Sequence, residues 1–380
     1  MAAIDVRKRQ STLKEFSVVF TDRSLNSMSG GFQDVMRGLH QGLCEVYQAS
    51  SCALIPGGGS FAMEAVARQF ARHEKVLVVR NGWFSYRWTQ IFDQGVTPSH
   101  AEIVKAQPDS AAADQQFSPA PLDDILDRIR SEKPRLVVSP HVETSAGLVM
   151  PDEYLKAIAD AAHEVGALFV LDCVASGALW VDMKALGVDI LITAPQKGWT
   201  STPCAGVVML SDAALARLDE TEADSFVLDL KKWHQIMQAY LSGGHAYHAT
   251  MPTDGLAQFY DTLLEIRDFG FDKAKDAQTE LGMSLRGIMA QRGYKSLAAP
   301  GFESPSVIVC HTTDDNMKSG AAFAKEGVQI AAGVPLQCGE SESFKTFRIG
   351  LFGLDKLQDI PGTIAAFTEA LDKVTPAPSS

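Results

Sequence analysis

Two residues stand apart by type and setting. Asp172 ends the apolar run ALFVLD, and Lys197 follows the run VDILITA inside the segment APQKGWTSTPCAG. A carboxylate at the end of a buried run is costly unless a cation or metal pairs with it. A lysine just past the next run, among small and polar neighbours, is a candidate amine nucleophile, because desolvation and nearby positive charge free the amine at neutral pH. A structural Asp–Arg pair or a plain surface lysine would explain either residue alone. The combination is more specific than either.

Three other segments carry chemistry-bearing types. In IPGGGSFAMEAVARQF a strand-like CALI runs through Gly57-Gly58-Gly59-Ser60 into a helical pattern. Glycines admit an anion close to the backbone, and a helix start supplies free N–H groups and the positive end of its dipole, so this is a candidate phosphate cradle. It is neither a Walker A nor a G-x-G-x-x-G sequence, and a tight strand-to-helix turn explains it as readily. NGWFSYRWTQ places aromatics and an arginine after the run VLVV, where ligands of α/β sheets collect and an aromatic ring can stack on a planar cofactor; ordinary packing is the competing explanation. SPHVETSAG ends another run with polar groups that need partners, supplied either by a ligand or by capping of the following helix.

The elements that must position these residues alternate. VLVV (Val76 to Val79), RLVVSP (Arg135 to Pro140), ALFVLD, VDILITA and GVVMLS (Gly206 to Ser211) are near-continuous apolar strands separated by amphipathic stretches such as PDEYLKAIADAAHEVG. This pattern predicts an α/β fold with a mostly parallel sheet covered by helices on both faces. Beyond Thr253 come a long helical stretch, Leu256 to Gly293, with a break near Gly270, the strand SVIVCH, a helix around Met317 to Glu326, the strand FKTFRIG and a last helix IPGTIAAFTEALDKV. They read as a smaller C-terminal α+β domain. The expected division is an N-terminal segment 1–20, a large domain 21–265, a small domain 266–373 and a tail 374–380. Residues 108–121 read as a polar loop.

Composition bounds the rest. The chain has 380 residues, a net charge of −12 and 46% hydrophobic residues, ordinary values for a globular protein with a large core. No basic excess exists to neutralise the phosphates of nucleic acid or an anionic membrane. No apolar run reaches the roughly 18 residues of a membrane span, and the N-terminal MAAIDVRKRQSTLKEF lacks the apolar centre of a secretory signal. Six scattered cysteines without CxxC or zinc spacing read as reduced thiols, so a cytoplasmic protein without a metal is expected. His141 reads as a hydrogen-bonded strand-end histidine, and Trp180 and Trp233 as packing.

Taken in order, these segments resemble the fold-type I, class V aminotransferases that use pyridoxal 5′-phosphate (PLP), and most of all their alanine/serine–glyoxylate aminotransferase branch. The similarity runs from about Gly57 to Gly353. The resemblance implies that Lys197 forms the Schiff base with PLP, Gln196 lies near its phosphate and Asp172 pairs with its ring nitrogen. Val174 would pack on one ring face and Phe84 on the other. Gly58, Gly59, Ser60 and the backbone of Phe61 would form the phosphate turn, and Thr144 would stand beside the ring hydroxyl. AYHATMP resembles a segment that crosses a homodimer interface to the partner's phosphate, which implicates Tyr247 and Thr250. In FRIGLFG, Arg348 would clamp a substrate carboxylate.

The implied activity is ping-pong transamination between a small amino acid and a small 2-keto acid, glyoxylate or pyruvate. The family's N-terminal Pro-Gly-Pro is not found and FTDRSLNSMSGGF takes the place of its usual Asp-His-Arg stretch, so the N-terminal wall of the pocket is expected to differ; Gly198-Trp199 is expected to narrow the site. A PLP lyase of the cysteine desulfurase kind is the alternative, with Cys338 as its nucleophile, although such enzymes show His-Lys and a stacking His where this chain has Gln196-Lys197 and Phe84. A nicotinamide enzyme or a binding module would leave Asp172 and Lys197 unexplained, and no dinucleotide fingerprint is present.

Overall fold

A computed structural model describes residues 13–95, 97–112 and 114–375; the expectations for the first residues of the N-terminal segment and for most of the tail lie outside them. The apolar runs form a seven-stranded sheet in the spatial order Ser51–Pro56, Ala205–Leu210, Ile190–Thr193, Leu168–Asp172, Leu136–Pro140, Lys75–Arg80, His100–Lys105. Its central strands are buried along almost their whole length, as a sheet covered on both faces requires. Pairing is parallel except for Ala205–Leu210, which runs antiparallel to both neighbours. The reason lies in the connection before it. A parallel return needs a crossover of roughly a dozen residues or more, usually a helix, and the short loop that follows Thr193 and carries Lys197 holds no helix.

Helices flank the sheet. Gly30–Tyr47 starts at Ser29, whose Oγ accepts the Phe32 N–H; Asp152–Glu164 follows Pro151 and stops just short of Gly166 (φ +77°). The long helical stretch divides where expected, into Thr253–Phe269 and Phe271–Gln291 around Gly270 (φ +101°). C-terminal to it stands a three-stranded sheet in the order Val307–His311, Thr346–Gly350, Ala331–Ala332, and the helix Ile360–Val374 packs against Phe271–Gln291.

Three expectations need correction. The helix around Met317 to Glu326 is two short helices, Asp315–Ser319 and Ala321–Lys325, parted by Gly320 at φ +81°. The polar loop 108–121 is not wholly irregular: Gln107–Pro108 pairs with Phe117–Ser118, because Phe117 is fully buried and its N–H donates to Leu297 O. Trp199 does not narrow the site. It is 1% exposed and packs inward with Trp180, at 4.6 Å between centroids, and with Tyr47, Phe259 and Phe271. Gly198 makes that turn possible, since a Cβ there would meet Gly177 O at 2.1 Å.

Candidate active site

Parallel strands deliver their C-terminal ends to one edge of a sheet, where ligands of α/β folds bind. Here that edge gathers Gly57–Ser60 after Pro56, Asn81–Phe84 after Arg80, Glu143 and Thr144 shortly after Pro140, Asp172 itself, and Lys197 after Thr193. They enclose a cavity of about 200 Å³. Gly59, Ser60, Phe84, Thr144, Asp172, Val174, Gln196 and Lys197 all line it.

The electrostatics follow from burial. Asp172 Oδ1 accepts one hydrogen bond, from Val174 N–H at 2.9 Å, and Asp172 makes no ion pair among the described residues. Burial raises its carboxyl to about 6, against the pull of the Val174 N–H and the Lys197 charge. Burial likewise lowers the ammonium of Lys197, opposed by Asp172 and assisted by Arg348. Both groups are thus held against their preferred charge state. His141 beside them is a neutral structural partner: burial drives it down to about 4, and its Nδ1 lies 2.8 Å from Ser176 Oγ.

At the cradle, Gly57 has φ +127° and Gly58 precedes the helix Gly59–Phe70. Gly59 is small because it must be: a Cβ would come within 2.6 Å of Val174. The Phe61 N–H donates to Gly58 O at 2.9 Å. The donors left at this helix start are the N–H groups of Gly59 and Ser60. Phe61 turns its side chain outward, half exposed.

Three residues that the sequence reading passed over complete the arrangement. Glu143 is fully buried and accepts five hydrogen bonds: from the N–H groups of Phe84 (3.2 Å), Ser85 (2.9 Å) and Ser145 (3.1 Å), and from the hydroxyls of Ser85 and Ser145 (2.7 Å each). It therefore caps the helix Trp83–Asp93, which precedes it in the chain, and not the helix after it, while fixing the Phe84 ring and the Thr144 loop together. The signal was an acidic residue inside a segment expected to be buried. Arg87, one turn beyond Phe84, lines the cavity and donates from Nη1 to Ser60 Oγ at 2.8 Å. Phe352, of FRIGLFG, has its ring centroid 5.5 Å from Lys197 Nζ.

The outer residues are held differently. Arg348 donates from Nε to Ala332 O at 2.7 Å, with its guanidinium carbon 5.4 Å from the Phe84 centroid. Tyr247 is 65% exposed and lies 3.4 Å, hydroxyl to hydroxyl, from Thr250; neither lines the cavity of its own chain.

The inner residues fit PLP. Among the described residues Thr144 Oγ1 is buried without a hydrogen-bond partner, which a ring hydroxyl would supply. Asp172 is a half-buried acid with no ion pair among the described residues, and a protonated ring nitrogen would supply the missing cation. The helix start with Ser60, Arg87 and Gln196 suits a phosphate.

The description "Aminotransferase class-V" matches residues 10–353 of this chain. The chain is 27% identical over 372 residues to the 2-aminoethylphosphonate–pyruvate transaminase of Pseudomonas putida (strain KT2440), covering 96% of this chain and 94% of that one. It is 26% identical over 358 residues to a second such transaminase, from Paraburkholderia xenovorans, covering 93% and 92%. Among solved structures, the alanine–glyoxylate aminotransferase of Nostoc sp. superposes with a TM-score of 0.77 at 20% identity, over 92% of this chain and 89% of that one. The pyridoxamine–pyruvate aminotransferase of Mesorhizobium loti gives 0.75 at 18% identity, over 93% and 90%. The structural likenesses establish the shared fold, and the family match over most of the chain establishes descent. The chain belongs to the class-V aminotransferases.

Proposed function

We propose that this PLP-dependent aminotransferase moves an amino group from a small amino donor to pyruvate, with glyoxylate as the other favoured acceptor. The observation that carries the reading is the half-buried Asp172, without an ion-pair partner among the described residues, and the half-buried Lys197 on one cavity, with Arg348 near Phe84 of its lining. Bound PLP supplies an electron sink for the charge left on the substrate's Cα when its proton departs. Asp172 would keep a proton on the ring nitrogen. Phe84 and Val174 would hold the ring between them, and Thr144 would bond its hydroxyl. Gly59, Ser60, Arg87 and Gln196 would hold the phosphate. Lys197, its ammonium weakened by burial, would be the base that takes the proton from the substrate's Cα and the acid that returns it when the cofactor is bound.

Arg348 holds the anionic end of each substrate in turn, so the two occupy one site successively and the kinetics are ping-pong. Small amino acids fit as donors through their carboxylate. The names of the curated relatives favour a second reading of the donor, an aminophosphonate, whose anion a guanidinium binds equally well. The lyase reading loses its nucleophile. Cys338 is 8% exposed, its Sγ faces Arg80 O at 3.5 Å, and burial pushes the thiol up to about 12.

The exposed Tyr247 and Thr250 support a homodimer in which they reach the partner's phosphate. The break at Gly270 supports a large domain of 21–265 and a small one of 266–373. Six free cysteines support a cytoplasmic location, and no described helix is long and apolar enough to cross a membrane. The net charge of −12 disfavours nucleic acid as a partner.

The test is an absorption titration of the purified full chain. PLP should give a visible band that an effective donor bleaches and pyruvate restores, with alanine as product. A protein that takes up no PLP, or whose bleached band no keto acid restores, is not this enzyme.

A further inference from the structure

The small C-terminal sheet approaches the site through Arg348 and Phe352. Arg348, Gly350 and Phe352 alternate along the strand Thr346–Gly350 and its continuation, so they share a face. Gly350 leaves that face bare: a Cβ there would lie 3.3 Å from two ring carbons of Phe352, so the ring lies back over the glycine, towards Arg348. The Phe352 centroid is 5.5 Å from Lys197 Nζ; that of Phe84 is 5.7 Å from the same atom and 5.4 Å from the Arg348 guanidinium carbon. The lysine amine thus has two aromatic rings near it, and the arginine lies against one of them.

Phe352 is also held in place. It packs, as Phe344 does, on the apolar cluster that includes Val307 and Val309. Two residues on, Leu354 N–H donates to Thr200 Oγ1 at 2.9 Å, and Thr200 N–H donates to Lys197 O at 3.0 Å. Thr200 keeps a left-handed φ of +60° in making this link, a conformation that costs a non-glycine residue and persists only when its surroundings hold it. The latch sets the distance between the Phe352 segment and the lysine loop.

A 2-keto acid bound by its carboxylate to Arg348, with its carbonyl carbon within reach of Lys197, has to carry its side chain past this ring. We infer that Phe352 is a specificity-determining residue that limits the acceptor to 2-keto acids with side chains no larger than a methyl group, admitting glyoxylate and pyruvate and rejecting branched or longer acids. The inference rests on the transaminase reading above and adds the size limit to it.

The test needs no knowledge of the donor. Full-length protein loaded with pyridoxamine 5′-phosphate is mixed with glyoxylate, pyruvate, 2-oxobutanoate or 4-methyl-2-oxopentanoate, and the half-reaction is followed by absorbance. Wild type should react with pyruvate at least about tenfold faster than with 4-methyl-2-oxopentanoate, and Phe352→Ala should bring that ratio to within about threefold. A second readout, independent of turnover, is the binding of propanoate and 4-methylpentanoate to the PLP-loaded protein by spectral shift; the larger acid should gain affinity in the variant. Phe352→Leu, with unfolding temperature as the control, serves if the alanine variant does not fold, and should give a partial shift of the ratio. A folded variant with an unchanged ratio overturns the inference, as does a wild type indifferent to side-chain size; pyruvate turnover still stands in both cases. A wild type that converts no keto acid overturns the transaminase reading and the size limit with it.

Discussion

The inner wall of the site and its outer rim are built on opposite principles. On the inner wall, Asp172, Lys197, Thr144 and Glu143 sit at the ends of sheet strands or just past them. Burial raises Asp172 to about 6 and lowers Lys197, and the Thr144 hydroxyl has no partner. On the rim, Arg348 donates from Nε to Ala332 O, and Tyr247 and Thr250, the residues proposed to reach the partner's site, lie exposed and within hydrogen-bond distance of one another. The inner wall carries an electrostatic cost that a bound cationic ring nitrogen and ring hydroxyl would offset, so stability and function pull against each other there. The rim carries no such cost, which suits residues that must release each substrate before the next arrives.

If that contrast is right, substitutions should separate activity from stability inside and not outside. The largest effect belongs to Lys197→Ala, which should lower transamination by about a thousandfold or more while leaving the unfolding temperature little changed. Asp172→Asn should fall nearly as far in turnover, yet make the cofactor-free protein more stable above pH 6. The sign follows from linkage. The folded carboxyl, near 6, lies above its ordinary 3.8, so the fold is penalised progressively as pH rises from about 4 to 6 and fully above that. Removing the charge should recover about 3 kcal/mol, to order of magnitude, in chemical unfolding at pH 8. A cofactor-free Asp172→Asn protein that is less stable than wild type at pH 8 would break the comparison.

Glu143→Gln tests the support beneath the inner wall. It turns part of a group that only accepts hydrogen bonds towards donors, and should cost about 2 kcal/mol of stability. PLP affinity should drop about tenfold, measured by equilibrium dialysis, because Phe84 and Thr144 lose their common anchor. The smallest effect is expected on the rim. Tyr247→Phe removes one exposed hydroxyl, so stability should stay within about 0.5 kcal/mol of wild type while PLP dissociates a few-fold faster. A large loss of stability in this variant would show that the rim is structural after all.

How much of this was legible in the residues is clearest at particular places. The strand ends were readable because apolar runs and their polar stops are local features, and Asp172 and Lys197 stand where those runs end. The reversal of Ala205–Leu210 was not, since it depends on the length and course of the loop before it and not on the strand's own composition. Glu143 lay inside a quoted motif, but its role required Phe84 and Ser85, nearly sixty positions earlier, to fold back onto it. Trp199 read as bulk beside the lysine and proved to be core, because Gly198 turns the chain against Gly177.

Taken by itself, the sequence settled the inventory: an acid and a lysine at strand ends, a glycine turn into a helix, an aromatic after a strand, an arginine in a late strand, and the α/β pattern that carries them. Residue type and local periodicity suffice for these, because hydrophobic patterning and turn chemistry act over a few residues. Tertiary structure alone decided which of them share a cavity, which charges are desolvated, and that Phe352 stands beside the lysine amine through the Leu354–Thr200 link. Distances of that kind are set by packing between segments far apart in the chain, and desolvation exists only once those segments have closed around a group.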